Sequence, residues 1–173
     1  MAGMMESRPK LSVVVPAYNE AANLDELIRR VVEAVAPLGS FEIILVDDGS
    51  SDETWQTIQA NSAADDRVVG LRLQRNFGQH PAVTAGFERS RGDIIVTLDA
   101  DLQNPPEEIP KLVARLGDDC DVASGWRQAR QDSWVRTLPS RLVNVMIARL
   151  TGVKLRDYGC MLRAYKREVI DQL

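Results

Sequence analysis

The chain has 173 residues, which is enough for one domain with a substantial core and few for two. Its formal net charge of -4 gives no basis for a nucleic-acid partner. Two cysteines cannot build a disulfide framework or a zinc knuckle, no apolar run reaches membrane-spanning length, and the first residues lack the apolar core of a signal peptide.

These features predict a soluble cytoplasmic chain in which Cys120 and Cys160, both in apolar contexts, are buried free thiols. Residues 1–10 read as a flexible N-terminus and 11–173 as one domain. Short β-branched runs at 11–15, 43–46, 68–73, 94–98 and 122–123 predict strands, each about one βα unit from the next. After the first strand comes Pro16-Ala17-Tyr18-Asn19-Glu20 and then a helix over 22–35. Leu24, Leu27, Ile28, Val31, Val32 and Val35 share one face of that helix, and Pro37 with Gly39 ends it. The second strand runs into Asp47-Asp48-Gly49-Ser50-Ser51, where Ser51 or Asp52 caps a helix carrying Trp55 and Ile58. A third helix covers 81–90 and stops at Arg91-Gly92, with His80, the only histidine, near its start as a capping or packing residue. The fourth strand ends in Asp99-Ala100-Asp101. Asn104 then reads as an N-cap, with Pro105 at the first helical position and Glu107 and Glu108 in the first turn. Beyond Gly125 the alternation fades into a polar, Arg-rich segment, 126–137, read as a mobile loop. A helix over 139–150, a short strand over 160–165 and a helix starting near Lys166 complete the chain.

Strand and helix alternation of this kind predicts an α/β fold, a mostly parallel sheet flanked by helices on both faces. Such sheets bind ligands at the carboxyl ends of their strands. The glycine-rich dinucleotide fingerprint and the phosphate-loop lysine motif are both absent, so a nucleotide held here relies on carboxylates. Asp47-Asp48-Gly49-Ser50 reads either as a turn into a helix or as a ligand-facing loop. Asp99 and Asp101 sit one residue apart behind a buried strand, where unpaired carboxylates are costly. A divalent cation would compensate them, and an N-cap pair is the other reading. Basic residues cluster beyond position 126, from Arg127 to Arg167, which predicts that the C-terminal third meets an anion. Trp126 and Trp134 lie among those arginines, so the segment reads as a phosphate clamp or as a solvated surface.

Five blocks in fixed order carry a more specific signal: "LSVVVPAYNEAANLDELI", "EIILVDDGSSDET", "RNFGQHPAVTAGF", "GDIIVTLDADLQNPPEEIPKLV" and "DYGCMLRAYKR". Together they resemble the inverting family-two glycosyltransferases of GT-A (Rossmann-like) fold that use polyprenyl-phosphate acceptors, and the likeness runs from about Leu11 to the last residue. Within that group they are similar to the enzymes of lipid A modification. The resemblance implies transfer of a sugar, formamido-deoxy-arabinose among the candidates, from a UDP-sugar to undecaprenyl phosphate with Mg²⁺ or Mn²⁺. It places Pro16, Ala17, Tyr18 and Glu20 along the nucleotide, Asp48 on the uracil or ribose, and Asp99, Ala100 and Asp101 beside the nucleotide sugar. Asp99, Asp101 and Gln103 become the metal ligands. Arg127, Arg136 and Arg141 become phosphate-binding residues, with Arg127 and Arg136 counted as catalytic, and Asp157 becomes the acceptor-side carboxylate. Full-length relatives continue into interfacial and transmembrane helices, so the expected partner is a membrane surface and the expected place is the inner face of the cell membrane. The rival expectations are a sibling that transfers glucose or mannose to the same lipid, and a nucleotide-sugar binding module without turnover.

Overall fold

The computed structural model describes residues 9–125 and 160–173. The expectations for 126–137, for the helix over 139–150 and for residues 1–8 of the N-terminus fall outside them. Six strands form one sheet: β1 (Leu11–Ala17), β2 (Phe41–Asp47), β3 (Val68–Arg72), β4 (Ile94–Thr97), β5 (Val122–Ser124) and β6 (Arg163–Lys166), in the order β3-β2-β1-β4-β6-β5. The pairs β1–β2, β1–β4 and β2–β3 are parallel, whereas β6 runs antiparallel to both β4 and β5. The mostly parallel sheet is therefore present, with one reversed strand inserted between β4 and β5. That last strand begins later than the expected 160–165 and reaches Lys166.

β1 and β2 are buried along their whole length because both sheet faces are covered, which is why they read as continuous apolar runs instead of alternating ones. Side-chain alternation sorts them. Val13, Val15, Ile43 and Leu45 point to one core with α1 (Ala21–Val35), α2 (Thr54–Ala64) and α4 (Ile109–Val113). Val14, Ile44, Val46 and Ile95 point to the other, shared with α3 (Gln79–Arg89) and α5 (Arg167–Ile170). The apolar stripe of α1 is buried as its spacing predicts, at Leu24, Leu27, Ile28, Val31 and Val35.

Three local expectations are corrected. Asn104 is not an N-cap: Pro105 stays extended at φ -69°, ψ 125°, and a 3-10 turn over Pro106–Glu108 precedes α4. A residue before proline is pushed out of helical geometry, and two prolines in a row delay the helix past the position that polarity favours. His80 is exposed in the first turn of α3, which starts at Gln79, and does not pack into the core. Cys120 is only half-buried in the turn bridged by Gly117 and Cys120, whereas Cys160 is buried as expected; both are free thiols. Asp52 does serve the start of α2, where its Oδ1 accepts the Thr54 N–H at 3.0 Å.

Candidate functional site

The carboxyl ends of β1, β2, β3 and β4 converge on one pocket of about 280 Å³. β1 supplies Pro16 and Ala17, with Tyr18 and Glu20 from the loop behind it. The loop after β2 supplies Asp48, and the turn after β4 supplies Asp99, Ala100 and Asp101. These eight residues are all sequence candidates, brought together from three strand ends. Asn76 and Gly78, from the loop between β3 and α3, and Gln79, the first residue of α3, also line the pocket among the described residues and are not among the sequence candidates. The strand-end rule that nominates the others applies equally to "NFGQH", which carries no carboxylate to mark it. Gln103 is exposed and outside the lining. Arg127, Arg136, Arg141 and Asp157 lie outside the described residues.

The loops are laced to one another by their own short polar side chains. The Asn19 N–H donates to Ser50 Oγ at 2.9 Å, the Ser51 N–H to Asn19 Oδ1 at 2.9 Å, and the Glu20 N–H to Thr54 Oγ1 at 2.8 Å. Asn19 takes a left-handed backbone, φ 57°, a conformation that asparagine tolerates well. Asp47 is fully buried, and its Oδ1 accepts the Ser50 N–H at 2.9 Å to close the turn. Its Oδ2 lies 3.2 Å from Arg72 Nε, close enough for an ion pair, although poorly aligned for a hydrogen bond. Asp48 holds the next loop: its Oδ1 accepts the Phe77 N–H at 2.8 Å and its Oδ2 the Gly78 N–H at 2.9 Å. Asp47 thus forms the turn, and Asp48 lines the pocket.

On the opposite wall, Asp99 Oδ1 accepts Gln79 Nε2 at 2.6 Å and Oδ2 accepts Asn104 Nδ2 at 3.3 Å. Asp101 Oδ1 accepts the Gln103 N–H at 3.0 Å, while among the described residues its Oδ2 has no hydrogen-bond partner. Leu102 between them has φ 59°, a conformation that costs a leucine about 1–2 kcal/mol and that turns the chain back after the aspartates. Among the described residues the lining holds four carboxylates, Glu20, Asp48, Asp99 and Asp101, and no basic side chain. Carboxylates at this spacing repel an anionic ligand, and a cation that arrives with the ligand offsets the repulsion. Among the described residues no cluster of three or more His, Cys, Asp and Glu side chains could cage a metal by itself. Asp99 and Asp101 do fit an ion that takes one or two carboxylates and fills its remaining positions with water and phosphate oxygens, the habit of Mg²⁺. The N-terminal end of α3 also opens on the pocket at Gly78 and Gln79, where the helix dipole favours a phosphate.

Comparison with known proteins shows the family and the fold. The model of "Glycosyl transferase family 2" matches residues 12–173. An undecaprenyl-phosphate 4-deoxy-4-formamido-L-arabinose transferase of Pseudomonas aeruginosa is 55% identical over 165 residues, 94% of this chain and 49% of the relative. The chain thus spans about half the length of the curated relatives it matches. Among solved structures, a mannosyltransferase of Pyrobaculum calidifontis in complex with GDP-Man and Mn²⁺ superposes with a TM-score of 0.67 at 22% identity, over 96% of this chain and 47% of the other. Glucosyl-3-phosphoglycerate synthase of Mycobacterium tuberculosis in complex with Mn²⁺ and UDP-Glc gives 0.69 at 22% identity, over 95% and 58%. The sheet with its flanking helices is the GT-A fold, and the chain belongs to glycosyl transferase family 2.

Proposed function

We propose that this pocket binds a UDP-sugar and that the chain carries the donor site of an inverting transferase that moves the sugar to undecaprenyl phosphate. The observation that carries the reading is the convergence of four carboxylates, Glu20, Asp48, Asp99 and Asp101, on one pocket at the strand ends, which suits a diphosphate arriving with a divalent cation. The identity of 55% with the formamido-arabinose transferase makes that sugar the first candidate donor and undecaprenyl phosphate the acceptor. Pro16, Ala17, Tyr18, Glu20 and Asp48 would flank the nucleoside. Tyr18 is 47% exposed and presents a ring for stacking.

Asp99 and Asp101 would hold Mg²⁺ or Mn²⁺, with Gln103 as a third ligand in the family's arrangement. Such an ion, when bound, neutralises the charge that builds on the leaving diphosphate. The chain's own part is to fix the two carboxylates on one turn and to keep the donor at the strand ends. An acceptor phosphate monoester is nucleophilic near neutral pH, so Asp157 would orient it without acting as a strong base. Arg127, Arg136 and Arg141 would hold phosphate oxygens by forked hydrogen bonds. The acceptor lipid puts the site of action at the inner face of the cell membrane; among the described residues no helix is long and apolar enough to cross one.

Titration calorimetry with UDP, with and without Mn²⁺, tests the donor site. The expected result is binding that strengthens markedly with Mn²⁺, and an Asp101→Asn variant that keeps its fold by circular dichroism but loses tenfold or more, roughly, of the metal-dependent affinity. UDP affinity indifferent to Mn²⁺ and to Asp101→Asn would overturn the reading. A panel of UDP-sugars with undecaprenyl phosphate in detergent then separates the formamido-arabinose donor from glucose and mannose, and a transferase from a binding module.

A further inference from the structure

Asn104 poses a question that its sequence position does not answer. It is 2% exposed, it caps no helix, and it is absent from the pocket lining, yet its amide is satisfied at both ends. Nδ2 faces Asp99 Oδ2 at 3.3 Å, and Oδ1 lies 3.5 Å from the thiol of Cys160, itself 1% exposed. The chain around Cys160 is fixed beside the end of β4, since Thr97 Oγ1 donates to the Met161 carbonyl and the Gly125 N–H donates to the Leu162 carbonyl. The Asp99 carboxylate only accepts, so it takes the NH₂ group of the amide, and the amide oxygen is left to face the weakly donating Cys160 thiol. The other oxygen of Asp99 is met by Gln79 from α3, an exposed side chain on the pocket wall. Among the partners within the described residues, the carboxylate thus meets one buried amide and one exposed amide.

We propose that Asn104 is a positioning residue for the donor site: it fixes the plane of the Asp99 carboxylate so that the oxygen beside Gln79 is the one presented to the metal-bound diphosphate. This rests on the reading of Asp99 as a donor-site ligand. Asn104 touches no substrate and acts through Asp99, in the way that outer partners orient a metal-ligating group. The two prolines after it serve the same end. Pro105 stays extended before Pro106, which starts the helical turns further along the chain, and the Asn104 side chain meets Asp99 instead of capping α4.

The test is calorimetry of the full chain with UDP, with and without Mn²⁺, on the wild type, Asn104→Ala and Cys160→Val. The last leaves Asn104 in place and removes only the thiol at its amide oxygen, so it reports on how firmly the amide is held even where Asn104→Ala folds poorly. The expected result is that metal-free UDP affinity is unchanged, while the gain conferred by Mn²⁺ falls about tenfold or more in Asn104→Ala and by less, in the same direction, in Cys160→Val. A merely structural role would lower both affinities together with the melting temperature, and that outcome overturns the proposal. An unchanged Mn²⁺ gain in both variants overturns it as well. A wild-type chain without any Mn²⁺ gain instead removes the reading on which the proposal rests.

Discussion

At Gly49 the site depends on what is missing from a side chain. Its φ is +68°, and a Cβ built there would sit 2.3 Å from the backbone carbon of Arg75. The turn after β2 and the loop after β3 approach so closely because Asp48, one residue earlier, draws the Phe77 and Gly78 N–H groups onto its carboxylate. Gly49→Ala therefore combines left-handed strain with a backbone collision, and the expected loss is roughly 3 kcal/mol or more in denaturant unfolding. The displaced loop should also expose the Phe77 and Gly78 amides, seen as faster hydrogen exchange at those two positions. A variant as stable and as protected as the wild type would show that the two loops are not locked together.

The same question of close approach recurs where α3 lies on β1. A glycine inside a helix is normally about 1 kcal/mol worse than alanine, so Gly86→Ala should stabilise α3 considered alone. The added Cβ would lie 2.3 Å from Val14 Cγ1, which forces the helix off the sheet or the valine out of its rotamer. Overpacking of this kind costs about 1–3 kcal/mol and outweighs the propensity gain. Gly86→Ala is expected to lower stability in the wild type and to recover much of it in a Val14→Ala background, measured by chemical denaturation of the two single variants and the double. Since α3 carries Gln79 at its start, a lifted helix should weaken UDP binding too. Equal effects of Gly86→Ala in both backgrounds would exclude the contact as the cause.

At the scale of the whole molecule, a charged contact that joins distant segments can be titrated. Arg30 on α1 makes a forked pair with Glu107 of the turn before α4, at 2.8 and 2.7 Å. Hydrogen bonding from Arg30 holds the Glu107 carboxyl below the ordinary glutamate range. A carboxylate lowered in the folded state adds stability that is fully present above its unfolded pKa and is lost as pH falls through the lower folded value. The Glu107 side chain is 54% exposed, so solvent screening limits the pair to less than about 1 kcal/mol. Glu107→Gln should thus be slightly less stable than the wild type near neutral pH and indistinguishable from it below the folded pKa of Glu107. A difference that persists unchanged into acid would assign the effect to packing instead of charge.

Strand and helix positions were legible in the sequence because they depend on neighbours along the chain: β-branched runs for β1 to β4, the apolar stripe of α1, and polar residues at strand ends. Eight lining residues of the pocket followed from those strand ends and the family blocks, since a parallel sheet puts its carboxyl ends side by side. Only the tertiary structure decided which side chains meet there. Gln79 and Asp99 are 20 residues apart, Asp48 and Gly78 30, and Asn104 and Cys160 56. The insertion of β6 between β4 and β5, in the reverse direction, likewise depends on pairing between distant segments. Periodicity assigns a residue to a face of its own element and carries no information about the partner across the gap. Hydrogen bonds form only where a donor and an acceptor arrive within about 3 Å, a separation that packing of the whole sheet sets. Asn104 shows the difference most directly: its local polarity favours a cap, and the neighbourhood of Cys160 and Asp99 turns it into a clamp.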